Sequence, residues 1–255
     1  MFIENATIIS NKKLTDGYFV LTLESPNIAR SAKPGQFVNV KVSNTDFPLL
    51  RRPISIYDAD VEKGELKILC FAKGLGTSIL SEKLPGDTIN LTGPHGNSFT
   101  VLPGVKKVLL VGGGFGTAPL SFFAKMNTSL DIVAAVGGRT KELIFCIDDF
   151  DRFGAKTLIT TEDGTLGEKG LVTRVIAPPI EKKEFDAIYT VGPKPMMAAV
   201  AKLAKTAQIS CFVSMEERMA CGVGNCKGCV CKTQSGYQTV CTDGPIFNAS
   251  DLEFS

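Results

Sequence analysis

Over the first hundred positions the apolar residues gather in short, β-rich runs: Phe19 to Leu23, Gln36 to Val42, Ile54 to Tyr57, Leu66 to Phe71 and Thr88 to Thr92. Pro, Gly, Asn and Asp punctuate the gaps between them, as turns do between strands. Several short strands at such spacing predict a small antiparallel barrel over residues 1–101. Inside it, Thr77 to Lys83 reads as a short helix closed off by Pro85-Gly86.

From about residue 104 the pattern changes. Lys107 to Val111 is a continuous apolar run that leads into a glycine turn and a helical segment, and Asp131 to Val136, Thr157 to Thr160 and Ala187 to Val191 are further runs of strand length with helical segments between. Alternation of this kind predicts a parallel sheet with helices on both faces over residues 102–214. A cysteine-rich segment, 215–255, completes an expected α+β multidomain chain.

Composition narrows the choice of partners. A 44% hydrophobic chain of 255 residues with 8% aromatics is long enough for two modest cores and is not expected to be disordered. The balance of 28 Lys plus Arg against 26 Asp plus Glu argues against nucleic acid or an anionic membrane. Gly112, Gly113, Gly114, Gly116 and Pro119 interrupt the most apolar stretch, Val108 to Ala124, so no membrane span is expected. Met1 to Ser10 lacks the basic start and apolar core of an export signal, which leads us to expect a cytoplasmic protein with reduced thiols.

The most specific chemistry lies near the C-terminus. Cys221, Cys226 and Cys229 read Cys-x4-Cys-x2-Cys, and Cys241 follows after eleven residues, which is the opening spacing of a plant-type [2Fe–2S] ligand loop. Gly222, Gly224 and Gly228 let the backbone curl around a compact cluster and aim N–H groups at sulfur. The short gap to Cys241 implies a tight return hairpin that turns at Ser235-Gly236. A structural zinc site is the alternative, but it would want a second Cys-x2-Cys pair or histidines, and the only histidine is His95, in what reads as a turn. Cys231, two residues beyond Cys229 on an extended segment, faces the opposite way and reads as a packed thiol; Cys70, Cys146 and Cys211 read as core residues.

Three further segments suit phosphate-bearing ligands. Val111 to Leu120, a glycine turn between a strand and a helix, would set free N–H groups against a diphosphate, although any tight strand-to-helix turn uses glycines and this one is not Gly-x-Gly-x-x-Gly. Arg52-Pro53-Ile54-Ser55, with Arg51 before it and Tyr57 after it, offers a bidentate arginine and a hydroxyl, or else is simply a basic strand edge. Gly74-Leu75-Gly76-Thr77-Ser78 could cradle a diphosphate, or could be a plain helix start with Thr77 or Ser78 as N-cap.

Taken in order, with Gly192-Pro193-Lys194-Pro195-Met196 before the cysteine loop, these segments resemble the ferredoxin–NADP reductase superfamily over essentially the whole length. Met215-Glu216-Glu217-Arg218-Met219-Ala220 before the loop and Cys241-Thr242-Asp243-Gly244-Pro245-Ile246-Phe247 after it make the chain similar, within that superfamily, to the electron-transfer subunits of two-subunit, NAD-linked dihydroorotate dehydrogenases. The resemblance implies FAD on Arg52, Pro53, Ile54, Ser55, Leu69, Cys70, Phe71, Gly76 and Thr77, with Asp243 to Pro245 close to the flavin. It implies the nicotinamide dinucleotide at Gly112, Gly113, Gly114, Gly116, Gly192, Pro193 and Met196, and the cluster on Cys221, Cys226, Cys229 and Cys241. It also implies an FMN-containing catalytic partner subunit in an α2β2 heterotetramer of pyrimidine biosynthesis. Many relatives carry an aromatic residue where Ile54 stands, so what covers the flavin ring stays open, as does NAD against NADP: Arg139 and Lys141 could meet a 2′-phosphate. Glu162-Asp163-Gly164 reads as a turn, with contact to a ribose as the alternative. A related subunit serving ferredoxin, sulfide or polysulfide would carry the same cofactors.

Overall fold

A computed structural model describes residues 1–254; Ser255, the last residue of the expected 215–255 segment, lies outside them. By mutual contact the chain divides into two compact units, residues 1–98 with 216–230 and 239–245, and residues 99–215 with 231–238 and 246–255.

The first unit is built on a closed six-stranded barrel: β1 (Phe2–Thr15), β2 (Tyr18–Glu24), β3 (Phe37–Lys41), β4 (Arg52–Asp60), β5 (Glu65–Phe71) and β6 (Thr88–His95), joined in the order β1-β2-β5-β4-β3-β6. Every pairing is antiparallel. Leu21, Leu23, Val38, Val40, Ile56, Leu66, Ile68 and Leu91 fill its interior, each less than 1% exposed, so the alternation of strand side chains explains which face of each run is apolar. The sequence reading contains no counterpart to β1, whose fourteen residues bury only Ala6 and Ile8. Its Glu4 carboxylate accepts the N–H groups of Asn27 at 3.0 Å and Ile28 at 3.2 Å, capping the short helix α1 (Pro26–Ser31). Helix α2 is Leu75–Ser81, two residues earlier than the spacing predicts.

The second unit holds a seven-stranded sheet. Its strands β7 (Lys107–Gly113), β8 (Asp131–Gly138), β9 (Lys156–Thr161), β10 (Glu168–Lys169), β11 (Ala187–Val191) and β12 (Ser210–Ser214) run parallel in the order β10-β9-β8-β7-β11-β12. A hairpin of β13 (Val230–Thr233) and β14 (Gly236–Thr239) turns at Gln234-Ser235, with Gly236 at φ 112°, and β15 (Ile246–Asn248) adds an antiparallel edge to β12. Helices α3 (Thr117–Met126), α4 (Ile147–Arg152), α5 (Thr173–Glu181) and α6 (Lys194–Ala207) cover the sheet, with α3 against α4 and α5 against α6. Tyr189 centres the core, edge-on to Phe99 at 5.6 Å and stacked with Phe212 at 5.3 Å, while its hydroxyl donates to Thr100 O at 2.9 Å. No helix among the described residues is long and apolar enough to cross a membrane.

Candidate functional site

The cysteine loop folds as its glycines require. Gly222 and Gly224 adopt φ of 68° and 82°, a left-handed conformation that other residues avoid, and this turns backbone N–H groups inward. The N–H groups of Val223 at 3.5 Å and Cys226 at 3.4 Å donate to Cys221 Sγ, and that of Gly224 donates to Cys241 Sγ at 3.2 Å. The N–H groups of Val223 and then Cys226 draw the Cys221 thiol down to about 6, so it is largely thiolate at neutral pH. Burial, and then its hydrogen bond with Cys229, pushes Cys241 up to about 11.

Cys226 influences the Cys221 thiol, and Cys229 together with Cys221 influences Cys241, so the four thiols lie near enough to sense one another in these combinations. Among the described residues no three Cys, His, Asp or Glu side chains gather as they do around a single ion. Four thiols, two of them already met by N–H donors, fit a rhomb of two irons and two sulfides, in which each iron takes two thiolates. Cys226 and Val223 at the tip of this loop are exposed, whereas Cys229 and Cys241 are buried. Cys231 is buried on β13, as its place in the strand predicts.

The loop belongs to the same compact unit as the barrel, and a clasp explains why. Asn97 donates its N–H to Gly244 O at 2.7 Å and its carboxamide to Asp243 O at 3.0 Å, and Gln36 Nε2 donates to Gly96 O at 2.8 Å. Gly96, at φ 76°, lies so close to Pro245 that any Cβ would collide with the proline ring. Thr239 donates both its N–H, at 2.7 Å, and its hydroxyl, at 2.8 Å, to Asp243 Oδ2; the backbone donor holds this carboxyl below the usual range. Asp243 thus locks the turn that carries Cys241. His95 is not the turn residue its surroundings suggest: it ends β6, 6% exposed, stacked on Phe37 at 5.3 Å and hydrogen-bonded to the Thr92 hydroxyl at 2.9 Å.

The structure gives the two neighbouring arginines, Arg51 and Arg52, different partners. Arg51 is committed to the barrel strands, donating to Asn39 O at 3.3 Å, to Asn90 O at 3.1 Å and to Asn90 Oδ1 at 2.5 Å. Arg52 donates to the carbonyl of Leu50, and its guanidinium lies against Gly76, where a Cβ would collide with it. Arg52 and the Gly74–Ser78 turn, two separate signals in the sequence, therefore meet at one place on the barrel. Gly74 and not Thr77 or Ser78 is the N-cap of α2; the Thr77 hydroxyl accepts the N–H groups of Lys73 at 3.1 Å and Gly74 at 3.2 Å. Pro53, Ile54 and Ser55 pair with Asn39, Val38 and Phe37, while Leu69, Cys70 and Phe71 pair with Val20, Phe19 and Tyr18. Phe71 stacks on Tyr18 at 4.3 Å. Burial raises the Cys70 thiol far above its ordinary value, so this residue can offer a ligand its backbone but not its sulfur. An arginine, whose fork can bond bidentately, beside a turn that carries Gly74 and Gly76 fits a diphosphate.

In the second unit the two glycine segments converge. Strand order reverses between β7 and β11, and Gly112–Gly116 and Gly192–Met196 leave the carboxyl ends of these neighbouring strands, paired at Val191–Gly112. Crevices at such reversal points are where open parallel sheets bind nucleotides. The helices α3 and α6 begin there, so two positive helix ends face it. The approach is tight: a Cβ on Gly113 would stand 2.7 Å from Pro193 Cδ and 2.9 Å from Met196 Sδ. On Gly116 it would stand 2.7 Å from Val191 O, where only backbone could yield. Gly116→Ala is accordingly expected to weaken NADH binding about 10- to 100-fold, the effect of ~1–3 kcal/mol of overpacking, while FAD content stays unchanged; equilibrium titration of NADH against the variant checks it. Glu162, Asp163 and Gly164 do form a bend, in which Thr165 donates to Asp163.

Residues 4–99 match the oxidoreductase FAD-binding domain, and residues 216–253 match the iron-sulfur cluster binding domain of dihydroorotate dehydrogenase B. The chain is 40% identical to the dihydroorotate dehydrogenase B (NAD(+)) electron transfer subunit of Bacillus caldolyticus, over 98% of each chain. It is 39% identical to the protein of the same name from Caldanaerobacter subterraneus, again over 98% of each. Among solved structures, a chain of an NADH-dependent reduced ferredoxin–NADP oxidoreductase superposes with a TM-score of 0.89 at 30% identity, covering 98% of this chain and 90% of that one.

Proposed function

The chain belongs to the family of dihydroorotate dehydrogenase B electron transfer subunits, and on that premise we propose that it passes electrons from the FMN of a dihydroorotate-oxidising partner, through a [2Fe–2S] cluster and FAD, to NAD+. The observation that carries this reading is that the four thiols and the Arg52–Gly76 cradle belong to one compact unit, held by the clasp at Asn97. When bound, FAD supplies the exchange between hydride pairs and single electrons that nicotinamide and an iron–sulfur cluster cannot perform on their own.

Residues of the chain take distinct parts. Cys221, Cys226, Cys229 and Cys241 would hold the two irons of the cluster through their thiolates. Arg52, with Gly76 and Thr77, grips the FAD diphosphate, while Pro53, Ile54, Ser55 and the strand Leu69 to Phe71 line its place on the 1–101 barrel. Gly112, Gly113, Gly114 and Gly116, opposed by Gly192, Pro193 and Met196, bind the nicotinamide dinucleotide in the 102–214 domain. The exposed tip of the 215–255 cluster segment, at Val223 and Cys226, faces the partner, and two copies of each subunit assemble in the cytoplasm to serve pyrimidine biosynthesis.

The test is co-purification from native cells, followed by assay of the complex. Dihydroorotate-dependent NAD+ reduction is expected, and the isolated chain is expected to oxidise no dihydroorotate. A complex that reduces ferredoxin and forms no orotate would favour the reading suggested by the ferredoxin–NADP oxidoreductase neighbour.

A further inference from the structure

Val38 and Val40 point into the barrel, so strand alternation puts Phe37 and Asn39 on its outer face, and yet they are only 4% and 3% exposed. What Asn39 meets is the cluster loop: its Nδ2 lies so close to Gly222 that a Cβ on the glycine would collide with it. Gly222 directly follows the first cysteine, and the N–H groups after it already turn toward Cys221 Sγ. Arg51 donates to the backbone carbonyl of Asn39, so the side-chain carboxamide is the group that meets the loop. That carboxamide brings an N–H donor against the peptide of a ligand loop.

We propose that Asn39 is a positioning and tuning residue of the iron–sulfur site, donating a hydrogen bond from its carboxamide to the sulfur of the cluster on the Cys221 side. The inference rests on the functional reading above and adds to it a residue of the flavin barrel, next to Pro53 in the β3–β4 register, that acts directly on the cluster. Three features support the assignment: a donor presented to the ligand loop, a glycine that leaves it room, and Arg51, which fixes the backbone of Asn39 from behind. Hydrogen bonds to the sulfurs raise a cluster's reduction potential by stabilising the extra negative charge of the reduced state.

The experiment compares wild type, Asn39→Leu and Asn39→Asp as full chains prepared anaerobically. Iron, acid-labile sulfide and FAD are quantified, and the cluster and flavin potentials are measured by redox titration followed by electron paramagnetic resonance and by absorbance. Both variants are expected to keep the cluster and to shift its equilibrium about tenfold toward the oxidised form, equivalent to ~59 mV for a one-electron couple, with the flavin potential unmoved. An unchanged cluster potential overturns the proposal, as does a shift in the flavin potential instead. Loss of the cluster from both variants, including the isosteric aspartate, would make Asn39 a scaffold residue and overturn it too. A wild-type chain without iron and sulfide would instead overturn the functional reading on which the inference rests.

Discussion

Cys226→Ser in the full chain is expected to lose iron and acid-labile sulfide to background while keeping FAD. Cys226 is the most exposed of the four ligands and influences the Cys221 thiol. Serine preserves the shape but replaces a thiolate by a hydroxyl that stays protonated at neutral pH, and iron–sulfur clusters are held by thiolates. The N–H donors to Cys221 would then face an incomplete ligand set. NADH should still reduce the flavin, because the Arg52 cradle and the glycine crevice lie on other segments, but reduction of any acceptor that draws from the cluster should vanish. Cys231→Ser is the matched control: this thiol is buried on β13, and the variant should keep its iron. Iron, sulfide and visible absorbance of the two variants, measured side by side, decide the matter.

Arg52→Ala is expected to give the second large effect, a loss of FAD about 10- to 100-fold in affinity. A hydrogen bond to a charged group contributes ~1.5–3 kcal/mol, so the net loss of one such bond accounts for a change of this size. Arg51→Ala removes the same charge one residue away, yet Arg51 is spent on Asn39 and Asn90, so that variant should lose thermal stability before it loses flavin. Flavin retention during gel filtration, set against melting temperature, distinguishes the two arginines. Equal flavin loss from both would contradict the division of roles.

How much of this was legible beforehand depends on the range of the interactions. The cysteine loop announces itself, because ligand spacing and the glycines between are local, and the structure shows the backbone N–H groups of that loop turned toward Cys221 and Cys241. The glycine turn after β7 is likewise local, but its opposition to Gly192–Met196 depends on strand order, which no run of residues records. Strand β1 escaped because twelve of its fourteen residues are not buried, so its apolar pattern is faint and its partners lie far along the chain. The resemblance singles out Arg52, but that Arg51 is held by Asn90 on β6 depends on strand pairing and shows only in the structure. His95 sits among Gly, Pro and Asn, a turn by composition, yet the last step of β6 carries it onto Phe37. Asn39 reads as one polar residue in an apolar strand, and only the loop folded over it, nearly two hundred residues further along the chain, gives it a task.

The most direct measurement is an anaerobic titration of the purified full chain with NADH, followed in the visible spectrum and by electron paramagnetic resonance. A flavin that takes two electrons, in contact with a cluster that takes one, predicts an end point at about 1.5 equivalents of NADH per chain, with bleaching of both chromophores. An end point at about one equivalent, with the iron–sulfur absorbance untouched, would contradict the account.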